Sequence, residues 1–247
     1  MVEHLGWLVL AVAVVAFLYS SVGHAGASGY IAVMGLASLS PALIKPTALL
    51  LNVLVASMGT WQFVRAGHFR WHLFWPFALL SIPMAFVGGA VDLPTVWFKR
   101  AVGLVLLLSA ANFFWRPGDD TPRAEPSRPI ALGAGGVLGL FAGLTGTGGG
   151  IFLTPRMLLC RWARTKTVAA TSVVFILVNS LAGLAGNASA AKAIPALAWP
   201  LAGAALAGGT LGSWLGSRRL PPTAIKRLLA VVLVVAGVHL LRSARSA

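Results

Sequence analysis

Two glycine-rich stretches hold the residues best placed for chemistry. The first, residues 19–30, reads YSSVGHAGASGY, and the second, residues 139–150, reads GLFAGLTGTGGG. Three consecutive glycines after Thr-Gly-Thr oppose a continuous helix, at about 1 kcal/mol each relative to alanine. Both stretches lie inside long apolar runs, so a break there falls at membrane depth, where backbone must find partners within the protein or line a wet cavity. The half-helix after such a break begins with unpaired N–H groups and the positive end of its dipole. Glycine lets an anion approach them closely. Paired broken segments serve transporters this way near the bilayer midplane. The candidate substrate-binding residues are therefore Gly23, His24, Gly26, Ser28 and Gly29 in the first stretch, and Thr145, Gly146, Thr147, Gly148, Gly149 and Gly150 in the second. Ser20 and Ser21 are further hydroxyls beside the first break. Asn52, Thr171, Ser172 and Asn179, in the next unit of each half, are polar groups able to face the same cavity. Each also has an ordinary use: a lone hydroxyl bonds its own helix, a buried amide joins two helices, and a glycine break can be a structural kink. Gly88, Gly89, Gly183, Gly186, Gly203, Gly208 and Gly212 read mainly as sites of close helix packing.

Other chemistries are poorly supplied. Asp92 is the one carboxylate close to an apolar run, so a carboxylate proton relay and a cation carrier both lack components. The single cysteine, Cys160, excludes an internal disulfide and a Cys-rich metal site. No metal, cofactor or nucleic acid is expected. An enzyme reading rests on Gly26-Ala27-Ser28-Gly29, which matches the Gly-x-Ser-Gly signature of rhomboid intramembrane proteases, with His239 in the last apolar run. The second stretch has Gly148 at the serine's place, and no oxyanion constellation completes the site. A passive anion channel is a further alternative to a carrier, and sequence does not separate the two.

The elements that must position these residues are membrane helices. Of 247 residues, 58% are apolar and 10% charged, against about a quarter charged in a soluble domain. No Asp, Glu, Lys or Arg occurs in 4–44, 46–64, 71–91, 129–155, 167–191 or 193–217. Each run reaches the roughly 17–25 residues needed to cross a bilayer. Two shorter runs, 101–115 and 228–241, reach that length if flanking Lys and Arg snorkel. The formal charge of +14 comes from cations between the runs, where they set orientation and meet lipid headgroups. Residues 5–22 read as a retained helix, because the lone charge before them, Glu3, has the wrong sign for a signal peptide.

One hydrophilic stretch, 116–129, holds three of the five acids and four prolines and reads as an exposed loop. It separates a first transmembrane repeat, 1–115, from a second, 130–247. An offset of 120 places Gly23, Gly26 and Gly29 on Gly143, Gly146 and Gly149. An offset of 127 places Leu93-Pro94 on Leu220-Pro221 and Lys99-Arg100 on Lys226-Arg227. The expected fold is an all-α polytopic membrane protein. Each repeat has a Gly-broken or re-entrant segment (5–40, 130–160) plus three spans (46–66, 72–92, 97–115; 166–186, 194–216, 223–242). If the broken segments cross once, the repeats are parallel; if they enter and return, they are inverted. With both termini outside, the inverted arrangement puts 13 of the 19 Lys and Arg inside and the parallel one puts 11. The positive-inside rule favours inversion.

With these features the chain resembles the sulfite exporter TauE/SafE family of membrane permeases. Its two halves each open on a Gly-rich segment, and residues 143–155 carry the Gly-x-Thr-Gly-x-Gly-Gly-Gly-x-x-x-x-Pro pattern. The first half departs: Ala27-Ser28-Gly29-Tyr30, with His24 ahead, stands where relatives often have three glycines. The resemblance implies outward transport of small sulfur-containing anions, such as sulfite or organosulfonates, across a bacterial inner membrane. The expected partners are that substrate, the bilayer and a second copy of the chain.

Overall fold

A computed structural model describes residues 5–37, 39–91, 107, 110–111, 120–189 and 194–243. Among these the chain is all helix, without strands: α1 Leu5–Ser21, α2 Ala27–Leu36, α3 Pro41–Arg65, α4 Trp71–Ala90, α5 Arg128–Thr145, α6 Gly150–Leu159, α7 Thr165–Ser189, α8 Ala198–Arg218 and α9 Pro222–Ser243. The expected span 97–115, Asp92 and the Leu93-Pro94 and Lys99-Arg100 markers lie largely or wholly outside the described residues. Among the described residues four segments are long and apolar enough to cross a membrane by length and composition: Leu43–Arg65, Trp71–Ala90, Arg128–Thr145 and Thr165–Ser189. Leu10, Leu79 and Leu211 are more than half exposed on their helices, as lipid-facing side chains are.

Glycine brings two helix pairs into backbone contact. On α5, Gly135, Gly139 and Gly143 lie against the carbonyls of Phe77, Ser81 and Ala85 on α4. On α8, Gly208, Gly212 and Gly216 lie against those of Ala13, Phe17 and Ser21 on α1. A methyl group at any of these positions would collide with main chain, which is the small-xxx-small packing of membrane helices. Gly88, Gly89 and Gly186 likewise face backbone of a neighbouring helix. Gly203 does not: nothing lies within 4 Å of where its Cβ would be.

These contacts also fix helix direction. Numbers rise together along α1 and α8, and along α4 and α5, so each pair is parallel. Across α3 and α7 they run oppositely, with Leu49 beside Gly183, Asn52 bonded to Ser180 and Gly59 beside Val173. Across α3 and α8 they rise together, from Val55 beside Gly209 to Gln62 bonded to Thr210 and His68 to Ser217. Thus α1, α3 and α8 point one way. The short turn at 66–70 sends α4 back, so α4, α5 and α7 point the other way. Because α1 and α3 are parallel, the intervening α2 must return toward the side where α1 began. Gly29 of α2 indeed packs on Val15 and Tyr19 of α1. The same logic makes α6 a returning half-helix. Helices α5, α7 and α8 therefore run opposite to α1, α3 and α4, respectively.

One end of the bundle gathers Arg65, Arg70, Arg128, Lys166, Arg218 and Arg219, at the ends of α3, α4, α5, α7 and α8. The linker is more than a loose exposed loop there. Asp120 accepts from the Thr165 amide at 2.9 Å and from the Thr165 hydroxyl, with Lys226 Nζ 3.6 Å away. A carboxylate at a helix N-terminus stabilises it by about 0.3–1 kcal/mol at an exposed site.

Candidate functional site

The first break spans 22–26 and the second 146–149. Tyr19 and Ser20 carbonyls receive the amides of His24 and Gly23, closing α1. Gly23 and Gly26 have φ of +81° and +110°; Gly146, Gly148 and Gly149 have +73°, +71° and +79°. These are left-handed values that only glycine adopts cheaply. Gly26 and Gly149 are the N-caps of α2 and α6, and neither cap has a side-chain bond. The Tyr30 amide is bonded to Gly26 O, and those of Phe152 and Leu153 to Gly149 O. The amides ahead of these, at the start of each half-helix, are the groups that an ordinary Ser, Asp or Asn cap would serve.

The left-handed glycines correspond at an offset of 123, since 146 − 23 and 149 − 26 agree. The sequence register of 120 is three residues off. In a chain with 28 glycines, several registers align by composition, and only the backbone conformation picks among them.

Both breaks are buried against α7. A Cβ on Gly23 would run into Ala169, and one on Gly148 would sit 2.8 Å from Ser180 Oγ and 3.0 Å from Asn52 Nδ2. Gly150 packs on Ile176 and approaches the Ser172 carbonyl. His24, 2% exposed, has Nδ1 3.4 Å from Val22 O, and the backbone of Gly150 lies near its ring. Its Nε2 has no hydrogen-bond partner, and neither do Ser20 Oγ, Asn52 Oδ1 and Asn179 Oδ1. Buried polar atoms of that kind cost about 1–3 kcal/mol each, and such groups call for an explanation.

The remaining candidates divide. Ser28 donates to Tyr19 Oη at 3.0 Å, so it braces α2 on α1. Thr145 donates to its own helix at Phe141 O (2.6 Å) and meets Thr147 Oγ1 at 2.8 Å, which places both hydroxyls at the second break. Asn52 stands beside Gly148 and donates to Ser180 at 3.3 Å. Ser172 accepts from Thr154 of α6 at 2.6 Å. Thr171 and the Asn179 amide bond carbonyls of their own helix, Thr167 and Phe175. Pro155, the last residue of the 143–155 pattern, lies inside α6.

Two neighbours escape a motif search. Ser180 is one serine among apolar residues, though Ser172, Ile176 and Ser180 form a stripe at four-residue spacing. Lys45 interrupts two long uncharged runs. Its ammonium donates to the carbonyls of Gly88, Gly89 and Val91 at 3.1–3.3 Å, and its stem lies beside Gly146. It thus ties the C-terminus of α4 to the second break.

The TauE description, "Sulfite exporter TauE/SafE", matches residues 8–240. The chain belongs to the sulfite exporter TauE/SafE family. It is also 42% identical, over 240 residues, to "Probable membrane transporter protein y4hK" of Sinorhizobium fredii (strain NBRC 101917 / NGR234), an alignment covering 95% of this chain and 97% of that protein. No solved structure matches. This TauE/SafE member is a multi-pass membrane transporter and not an enzyme, so the protease reading of Ser28 is set aside.

Proposed function

We propose that the protein is a secondary carrier that exports small sulfur-containing oxyanions, such as sulfite or an organosulfonate, across a bacterial inner membrane. The observation that carries this reading is the pair of buried half-helix starts, each capped by a left-handed glycine and by no side chain. An oxyanion there receives backbone N–H groups and the positive end of a short helix dipole. His24 adds a donor from the first break whenever Nε2 carries hydrogen. The Asn52 amide and Ser180 hydroxyl add polar groups at the second. Membership of the sulfite exporter TauE/SafE family supports the substrate class.

The break residues are packed away from solvent, so transport requires the two halves, 1–115 and 130–247, to part and expose the site alternately. The opposed directions within the pairs α1 and α5, α3 and α7, and α4 and α8 support reading these halves as inverted repeats, the arrangement in which rocking moves access from one face to the other. Proteoliposomes loaded with sulfite, sulfate or a sulfonate test the proposal. Saturable efflux with counterflow of sulfite or a sulfonate is expected. Flux that rises linearly with concentration and shows no counterflow makes it a channel.

A further inference from the structure

We propose that the cation-rich end of the bundle holds the phosphate of an anionic membrane lipid, in a cavity between α4, the turn joining α6 to α7, and the linker. This site is separate from the breaks and does not rest on the transport reading. The cavity encloses about 350 Å³, and its lining includes Arg70, Arg123, Glu125, Trp162, Arg164 and Thr167. Three arginines and one glutamate thus line the same cavity, and the Glu125 carboxylate already accepts from His72 Nε2 at 2.9 Å. Among the described residues none of the three guanidiniums is paired with a carboxylate. A compact oxyanion is the chemistry that such a cluster recognises.

The frame around the cluster is built. The Arg123 amide donates to the Arg161 carbonyl at 2.9 Å, which clips the linker to the α6–α7 turn. Asp120 fastens the same linker to the start of α7. Depth favours a lipid over a soluble anion. Trp71, 66% exposed, adjoins Arg70; Arg128 lies over Trp75 at 5.8 Å, and Arg156 over Trp162 at 5.6 Å. Exposed tryptophan interleaved with arginine marks the headgroup layer, where basic pockets between helices take anionic headgroups.

Native mass spectrometry of the full chain in detergent, titrated with phosphatidylglycerol or with phosphatidylcholine of the same acyl chains, tests the site. One phosphatidylglycerol should be held about tenfold more tightly than phosphatidylcholine, and R123E/R164E should lose that preference. Both arginines are exposed, and thermal melting checks the fold; R123Q/R164Q, with a smaller loss, serves if the reversal unfolds it. R65E/R219E changes two cations stacked on Trp61 and Trp214 of the same end, outside the cavity, and should keep the preference. Equal retention of the two lipids, a preference that survives R123E/R164E, or one lost equally in R65E/R219E overturns the proposal. Inorganic phosphate titrated without lipid separates the sources. Phosphate that binds wild type but not R123E/R164E, with no lipid preference, makes this a soluble-anion site and overturns the lipid assignment.

Discussion

The two breaks solve one geometric problem with different materials. The second relies mainly on main chain: three left-handed glycines, with its own Thr145 and Thr147 hydroxyls bonded to each other and further polar side chains from α3 and α7. The first has two left-handed glycines and supplies its own side chains. Tyr30 Oη donates to Ala25 O at 2.5 Å, Ser28 reaches Tyr19, and His24 brings an unpartnered ring nitrogen. A site made of amides is chemically general for oxyanions, whereas an imidazole can discriminate between them. On the proposed function, the first break is where selectivity should be tuned, and the second should supply most of the binding.

The largest effect should come from Gly148→Ala. A left-handed alanine costs about 1–2 kcal/mol, and its Cβ would press on Ser180 Oγ and Asn52 Nδ2. Anion flux in proteoliposomes should fall about a hundredfold while the protein still inserts and melts cooperatively. Undiminished flux would remove the second break from the site. His24→Ala should lower flux by about tenfold, the worth of a hydrogen bond to a charged group, and change the ratio of sulfite to sulfonate transport. His24→Gln should restore part of it. Wild-type rates and ratios in His24→Ala would make the two breaks equivalent in spite of their composition. Ser180→Ala should weaken substrate affinity by roughly fivefold through about 1 kcal/mol of lost bonding to Asn52, read from the concentration dependence of efflux. The smallest change in transport is expected for Tyr30→Phe. It loses the bond to Ala25 O and about 1 kcal/mol of stability, seen as a lower melting temperature with unaltered selectivity.

The candidate site was legible where chemistry is local. A Gly-Thr-Gly-Gly-Gly run inside an apolar segment announces a break whatever surrounds it, and the structure begins α6 at Gly150. Ser28 illustrates the limit: its hydroxyl is spent on Tyr19, nine residues earlier, a partner that only the turn of α1 onto α2 creates. Ser180 and Lys45 were missed because neither has a motif. Each matters through a neighbour 128 or 43 residues away, respectively Asn52 and Gly88. Gly203 shows the converse, a glycine that looks like a packing site and faces open space.

By itself the sequence determined that this chain lives in a bilayer, where its helices break, and which loops carry the positive charge. Those properties are sums over neighbouring residues: hydropathy, helix propensity and charge need no knowledge of the distant chain. Tertiary structure alone decided the 123-residue correspondence of the glycines, the return of α2 and α6, and the capping of α7 by Asp120. Each depends on which remote backbone a segment packs against, and contact between remote segments exists only once the chain has folded.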